Sequence, residues 1–310
     1  MDKVVIQNLE ANNQRDLSRL ITKIEYDGKI NNVTFDKLFK KTNQGIRIGI
    51  TGPPGAGKSS ITNELIKYFI DNDQKVGIIA IDPTSPFSGG SLLGDRVRMN
   101  QYHNDENVFI RSMSTHGHLG GLSRKAQDIG DILAITGKDV IIFETVGVGQ
   151  GEYEIANVAD LTIIVLVPES GDEVQLMKAG LIEIGDLFVV NKSDRKGSEQ
   201  LTEKLKSIIN INKEVTRPVY NTIAKEGKGI EELFNGIMKK FKELEDAGYL
   251  LQRRIDRYKV RVKNIIQENL LSEFWTSNKK EKLNQATNSL QNFKKSPLAA
   301  AEEIMESIDL

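Results

Sequence analysis

The chain contains no cysteine in 310 residues, which excludes disulfides, thiolate metal sites and cysteine nucleophiles together. A reducing compartment suits such a chain, and a cytoplasmic location is the expectation. Charge of one sign is also lacking. The 42 basic residues stand against 43 acidic ones, a formal net charge of −1, so the surface is not built to neutralise nucleic-acid phosphates. Long hydrophobic runs are missing too: the longest strongly apolar stretch, Leu161 to Val167, stops at Pro168, well short of the roughly 20 residues a helix needs to cross a bilayer. The opening Met1-Asp2-Lys3 and the acidic residues after it do not follow the pattern of a signal or transit peptide. Neither nucleic acid nor membrane is expected as a partner.

Much else is present. Gly52-Pro53-Pro54-Gly55-Ala56-Gly57-Lys58-Ser59 fills every fixed position of the phosphate-binding loop Gly-x-x-x-x-Gly-Lys-Ser. It follows the apolar Ile46 to Ile50 and precedes the helix-like Ile61 to Ile70, the strand-to-helix setting the motif requires. Glycines at 52, 55 and 57 let the backbone turn its N–H groups inward, where they and the helix N-terminus can hold phosphate oxygens. Lys58 is then within reach of the terminal phosphates and Ser59 can ligate Mg²⁺, with Ser60 assigned to the same cradle. Binding of a nucleoside triphosphate follows.

With 39% hydrophobic and 27% charged residues, a chain of this length can bury one substantial core plus appended elements. Residues 1–44 read as short helices, because Leu17, Leu20, Ile21 and Ile24 recur at helical spacing and Phe35, Leu38 and Phe39 follow a polar turn. From Gly45 on, apolar runs alternate with amphipathic segments: Ile46–Ile50, Val76–Ile81, Val108–Ile110, Val140–Phe143, Leu161–Val167, Leu187–Val190 and Pro218–Tyr220. That alternation predicts an α/β fold, a mostly parallel sheet covered by helices on both faces. Ligands bind such sheets beyond the carboxyl ends of the strands, where Asp82, Glu144 and Asn191 each directly follow an apolar run. Beyond Gly236 the chain turns helical and charged, with Leu251, Ile255, Tyr258, Val262 and Ile265 spaced four, three, four and three residues apart. This seam either packs on its own domain or joins two subunits. The expected division is a helical extension over 1–44, a nucleotide-binding domain over 45–245 and a helical dimerisation arm over 246–310.

Asn191-Lys192-Ser193-Asp194 follows the strand Leu187–Val190, where a base-reading element belongs. The carboxylate of Asp194 can accept both the N1–H and the exocyclic N–H of guanine, whereas adenine presents an acceptor at N1. The expected nucleotides are therefore GTP and GDP. Glu144-Thr145-Val146-Gly147 stands where regulatory GTPases carry Asp-x-x-Gly to sense Mg²⁺ and the terminal phosphate. The longer glutamate can hold the ion through water, orient the attacking water, or simply be a satisfied carboxylate at a strand end. Asp82, in Ile81-Asp82-Pro83-Thr84-Ser85-Pro86, and Asp95, after Ser88 to Gly94, are further candidates for the metal shell or for positioning water, and both can instead cap helices. Lys58, Asp82, Asp95 and Glu144 form the candidate catalytic set, and Ser59 with the three acidic residues forms the candidate Mg²⁺ set. His116-Gly117-His118 has no acidic or thiol partner in sequence, so it reads as solvated loop histidines rather than a metal site.

These motifs together resemble the MeaB/ArgK-like GTPases of the signal-recognition-particle, MinD and BioD class of P-loop proteins. The likeness rests on the phosphate loop, on Ile81 to Gly90, Leu93-Gly94-Asp95-Arg96 and Gly117 to Gly121. It continues through Glu144-Thr145-Val146-Gly147-Val148-Gly149-Gln150, Gly171-Asp172-Glu173-Val174-Gln175 and Ser296 to Glu302. The resemblance implies a homodimeric GTPase that attends an adenosylcobalamin-dependent acyl-CoA mutase such as methylmalonyl-CoA mutase, gating its cofactor loading and protecting or rescuing it. It implies that Asp172, Gln175 and Lys178 lie in a third switch loop that senses the nucleotide. One departure is visible: where many GTPases carry Ser-Ala-Lys beside the guanine, this chain has Ile223-Ala224-Lys225, which keeps an Ala224 backbone contact and loses a hydroxyl. Two rival readings are weighed against this one. A metal-insertion GTPase for hydrogenase or urease is opposed by the absence of cysteine, and a transport-associated ATP-dependent kinase by Asp194.

Overall fold

Apolar runs without polar alternation form strands of parallel sheets, because helices cover both faces of the sheet. Seven such runs build one parallel sheet here: β1 (Ile46–Thr51), β2 (Val76–Asp82), β3 (Val108–Ser114), β4 (Val140–Thr145), β5 (Leu161–Leu166), β6 (Leu187–Asn191) and β7 (Val219–Thr222), in the order β3-β2-β4-β1-β5-β6-β7. The structure is a computed structural model that describes residues 14–27, 36, 38–43, 45–82, 102, 105–114, 121–145, 154–168, 180–209, 217–286 and 296–305. At 25–27, 43, 82, 114 and 121–124 it describes the backbone alone. Asp95, His116 and His118, Val146 to Gln150, Asp172, Gln175 and Lys178 lie outside the described residues.

Period-two alternation sorts each strand's side chains between the faces. Ile48, Ile50, Ile78, Ile142, Ile163 and Val189 face α2 (Lys58–Asp71) and α6 (Ile230–Asp246), which contribute Ile61, Leu65, Phe69, Leu233 and Ile237. On the opposite face Ile79, Ile141 and Phe143 meet Ile129 and Leu133 of α3 (Gly121–Ile135) and Leu17, Ile21 and Ile24 of α1 (Gln14–Asp27). The apolar spacing read near the amino terminus thus belongs to a helix that closes this face. Further along, Ile164, Leu166 and Phe188 pack with Leu181 of α4 (Leu181–Ile184) and with Leu201 and Leu205 of α5 (Ser198–Ile209). Phe69, Phe143 and Phe188 have no exposed surface, and truncating a buried phenylalanine to alanine costs about 3–5 kcal/mol.

Several strands run further than their apolar runs suggest. β3 continues through Arg111 and Ser112 to Ser114, β7 through Asn221 to Thr222 and β4 through Glu144 to Thr145, while β1, β2 and β6 each gain one polar residue. β3 and β7 are edge strands, whose solvated side accepts polar residues; elsewhere the added residues are the polar ones at the carboxyl ends, so hydrophobicity alone under-reads them. The order reverses beside β1, which lies between β4 and β5 although β2 and β3 intervene in the chain. This is a topological switch point, the place where open α/β sheets bind ligands.

The chain divides into two compact units, Met1–Arg253 and Arg254–Leu310. The boundary falls inside α7 (Tyr249–Phe274), which is followed by α8 (Ser277–Ala286) and α9 (Pro297–Met305). Along α7 the apolar side chains are largely in water: Leu251 is 64% exposed, Tyr258 56% and Leu270 60%. Among the described residues, no helix is long and apolar enough to cross a membrane.

Candidate active site

The loop between β1 and α2 takes its shape from what lies behind it. Gly52 has φ 138° and Gly57 has φ 88°, the left-handed region that only glycine enters freely. A Cβ on Gly52 would stand 2.1 Å from the Val165 carbonyl oxygen of β5, and one on Gly57 would stand 2.3 Å from Asn191 Nδ2. Neighbouring strands therefore demand these two glycines as much as the turn does. Pro54 and Gly55 are exposed, Pro53 and Ser60 half-buried, and Ala56 fully buried. Lys58 opens α2 and folds back, donating from Nζ to the carbonyl oxygens of Gly52 at 2.8 Å and Pro53 at 2.9 Å. These neutral acceptors hold the ammonium beside the cradle, and phosphate oxygens would compete with them as charged ones.

Glu144 lies within β4, paired in register with Ile50 of β1 and Ala80 of β2. Its carboxylate is buried and faces α2. Ser59 donates from Oγ to Oε1 at 2.5 Å, and Thr62 donates from Oγ1 to Oε2 at 2.7 Å. Strand-end solvation is therefore not its environment, since β4 continues to Thr145, whose Oγ1 lies 2.8 Å from Thr51 Oγ1 at the end of β1. Asp82 is the last residue of β2, at the same edge of the sheet.

Asn191, the last residue of β6, ties three elements together. Its Nδ2 donates to the Ala56 carbonyl at 2.8 Å, while Oδ1 accepts from Thr222 Oγ1 and from the Ala224 backbone N–H, both at 3.1 Å. The residue read from its motif as part of base recognition thus works as a strut, joining the phosphate loop to the loop after β7. Ala224 gives its N–H to that strut. Lys192 is half-buried at φ 56°, and Ser193 donates from both N and Oγ to the Thr222 carbonyl at 3.1 Å. This leaves the Asp194 side chain exposed at the rim. Ile223 and Lys228 form a bridge that closes the neighbouring loop. A hydrogen bond to Glu226 at 2.7 Å raises the Lys228 ammonium above its ordinary pKa, and the Asp194 carboxylate adds to this.

The structure thus gathers Gly52 to Ser60, Glu144, Asn191 and Ala224 around one loop, with Asp194 on the adjoining rim. Sequence reading passed over Thr62, Thr222 and Thr51, and named Thr145 within its motif without a role. The one available signal for Thr62 was its place one helical turn after Ser59 on the same face.

A family model described as methylmalonyl-CoA mutase-associated GTPase MeaB matches residues 17–279. A Pyrococcus horikoshii protein named as a GTPase is 44% identical over 268 residues, covering 84% of this chain and 84% of its own. The mouse mitochondrial methylmalonic aciduria type A homolog is 38% identical over 246 residues, 76% of this chain and 59% of the mouse protein. In fold the chain is similar to a crystal structure of a LAO/AO transport system kinase, with a TM-score of 0.71, 24% identity and coverage of 98% of this chain and 96% of that one.

Proposed function

The chain belongs to the MeaB family of P-loop GTPases, and from this premise we propose that it hydrolyses GTP with Mg²⁺ and couples that cycle to an adenosylcobalamin-dependent acyl-CoA mutase. The observation that carries the nucleotide chemistry is the joint placement of Ser59, Glu144 and Lys58 around one loop. A hydroxyl oxygen beside a buried carboxylate is a hard oxygen set suited to Mg²⁺, which takes few protein ligands and keeps its waters. Ser59 would hold the ion, with Glu144 steadying it through Ser59 or water, and Asp82 and Asp95 are proposed for the same shell. Bound there, Mg²⁺ supplies neutralisation of charge on the β and γ phosphates.

The chain's own residues do the rest. Loop N–H groups from Gly55 to Ser60 bind phosphate oxygens, the two prolines before them having none to give, and Lys58 leaves the Gly52 and Pro53 carbonyls to meet the charge that builds on the transferring phosphoryl group. Water is the nucleophile, GDP and phosphate are the products, and Asp194 reads the guanine. Slow turnover that a partner raises fits this arrangement, with Asp172, Gln175 and Lys178 proposed to report the nucleotide state to the mutase. The exposed apolar side chains of α7 are proposed to pair with a second copy, giving a homodimer. A cytoplasmic location completes the reading.

Turnover of GTP and of ATP, with and without the mutase from the same organism, tests it. GTP should be strongly preferred, and the mutase should raise the rate. Lys58→Ala should lower hydrolysis by about 10²–10³-fold, as when one transition-state donor is removed. Equal use of ATP, or wild-type turnover by the Lys58 variant, would overturn the nucleotide assignment. Absence of both stimulation and complex would overturn the partner alone.

A further inference from the structure

Two hydroxyls on one helix hold the two oxygens of Glu144, and only one of them belongs to the phosphate-loop motif. Ser59 and Thr62 are three residues apart in α2, so their side chains lie one above the other on one face. The other hydroxyl, that of Thr62, sits on a side chain with no exposed surface. A threonine inside a helix commonly turns its hydroxyl back to the carbonyl four residues earlier. Thr22 does so toward Ser18 and Thr202 toward Ser198, each at 2.8 Å. Thr62 instead donates across to Glu144 Oε2 at 2.7 Å.

We propose that Thr62 is a positioning residue for the metal side of the GTPase reaction, holding Oε2 of Glu144 so that Oε1 stays on the Ser59 hydroxyl. The inference rests on the reading above and deepens it. A glutamate has one more rotatable bond than the aspartate usual at this place, so a hydrogen bond to one oxygen restrains rotation about Cγ–Cδ less than hydrogen bonds to both. A second donor, one helical turn along the same rigid element, adds that restraint. Hydrogen bonds to an ionised carboxylate are among the strong ones, so the pair of tethers sets where Oε1 sits. With Oε1 fixed, the Ser59 proton points at Glu144 and the serine lone pairs face the cation side of the loop. The longer carboxylate and the second hydroxyl are thus one device.

The test titrates Mg²⁺ into the full chain bound to a fluorescent, non-hydrolysable GTP analogue. Thr62→Val keeps the shape and removes the hydroxyl, and it should raise the half-saturating Mg²⁺ about tenfold, as expected for one lost hydrogen bond to a charged group. Affinity for the same nucleotide in EDTA should be unchanged, and Thr62→Ser should restore the wild-type titration. In a Glu144→Asp background the shorter side chain cannot span both hydroxyls, so adding Thr62→Val should change the titration less than about twofold. A wild-type Mg²⁺ titration for Thr62→Val would overturn the inference. Equal weakening with and without Mg²⁺, a Thr62→Ser variant as impaired as Thr62→Val, or a full tenfold effect in the Glu144→Asp background would do the same. Should Thr62→Val fail to fold, Thr62→Ala against Thr62→Ser carries the same contrast. A wild type that binds no guanine nucleotide overturns the underlying reading as well, whereas a wild type that binds it while the valine variant matches it overturns this inference alone.

Discussion

At the carboxyl ends of the strands, buried polar groups take hydroxyl, amide and carbonyl partners. Glu144 takes the hydroxyls of Ser59 and Thr62, Asn191 takes an amide and a hydroxyl, and Lys58 rests on two backbone carbonyls. At the amino ends of the same strands, charge meets charge. Arg47 of β1 pairs at 2.5 Å with Asp131 of α3, both nearly inaccessible. Arg253 forks onto both carboxylate oxygens of Asp186, just before β6, at 2.9 and 2.7 Å, and reaches the Asp160 carbonyl as well. The Asp186 hydrogen bond raises the Arg253 pKa further above its already high ordinary value. A hydroxyl or carbonyl partner can be exchanged for a phosphate oxygen or a cation at modest cost. A buried ion pair that loses one member costs about 3–5 kcal/mol. One end of the sheet is built for changing partners and the other for keeping them.

If that contrast is right, variants at the two ends should fail in different ways. The largest effect is expected at the exchanging end. Asp194→Asn should move preference from guanosine toward xanthosine nucleotides, because the amide no longer offers two acceptors to the N1–H and exocyclic N–H. A lost pairing of this kind is worth a factor of roughly 10⁴ in discrimination. Binding titrations of wild type and variant with GTP and XTP read it directly, and the denaturation midpoint should hardly change. An unchanged preference, or a loss of stability in its place, would break the contrast on this side.

At the fixed end, Asp131→Ala should destabilise the first unit by about 3–5 kcal/mol by leaving the Arg47 guanidinium buried without this carboxylate. Replacing both with apolar residues, Arg47→Met with Asp131→Leu, should recover most of that loss, since the penalty belongs to the orphaned charge rather than to the missing attraction. Urea midpoints of the single and double variants check this. Nucleotide preference should stay as in the wild type wherever the protein is folded. A single variant that unfolds no earlier would show that the pair is not what fixes this end.

The two ends also differed in how much of them could be read in advance. The phosphate loop and Asn191-Lys192-Ser193-Asp194 were legible because their chemistry needs fixed residue types at fixed spacing, and the strands before them because parallel strands are apolar throughout. Edge strands β3 and β7, and the interior β4 at Glu144 and Thr145, were cut short by their polar residues. The Thr62–Glu144 contact spans 82 positions and the Arg47–Asp131 pair spans 84, so no local pattern marks either one. Helical spacing identified α1, but not that Ile21 and Ile24 would close a face of the sheet. Asn191 is the instructive case. Its motif placed it in base recognition, yet only the fold shows that both ends of its amide are engaged by the protein itself.

The smallest expected effect concerns Lys138, which precedes β4 at the fixed end and departs from its pattern, since it is buried and, among the described residues, no carboxylate lies within ion-pair distance of it. Its Nζ donates to the carbonyls of Glu106 at 3.1 Å and Asn107 at 3.3 Å. Burial, and next the positive charge of Lys75, lower its pKa from 10.5 to about 8, while Asp105 and Asp139 oppose the shift. The folded protein therefore releases this proton more readily than the unfolded chain. Between about pH 8 and 10.5 the unfolded state binds more protons, so stability from this group rises with pH over that window, whereas below about pH 8 the full cost of burying the ammonium is present. The gain should be about 1–2 kcal/mol, less than the shift alone implies, because the ammonium lies beside the exposed Glu106 and Asn107 and is screened. Other lysines and tyrosines titrate in the same range, so the quantity to follow is the difference between wild type and Lys138→Met. That variant should be the more stable protein at pH 7.5, and its advantage should disappear by about pH 10.5. An advantage that stays constant from pH 7.5 to 10.5 would mean that Lys138 is no misfit at the fixed end, and that its two carbonyl partners satisfy it as fully as Asp131 satisfies Arg47.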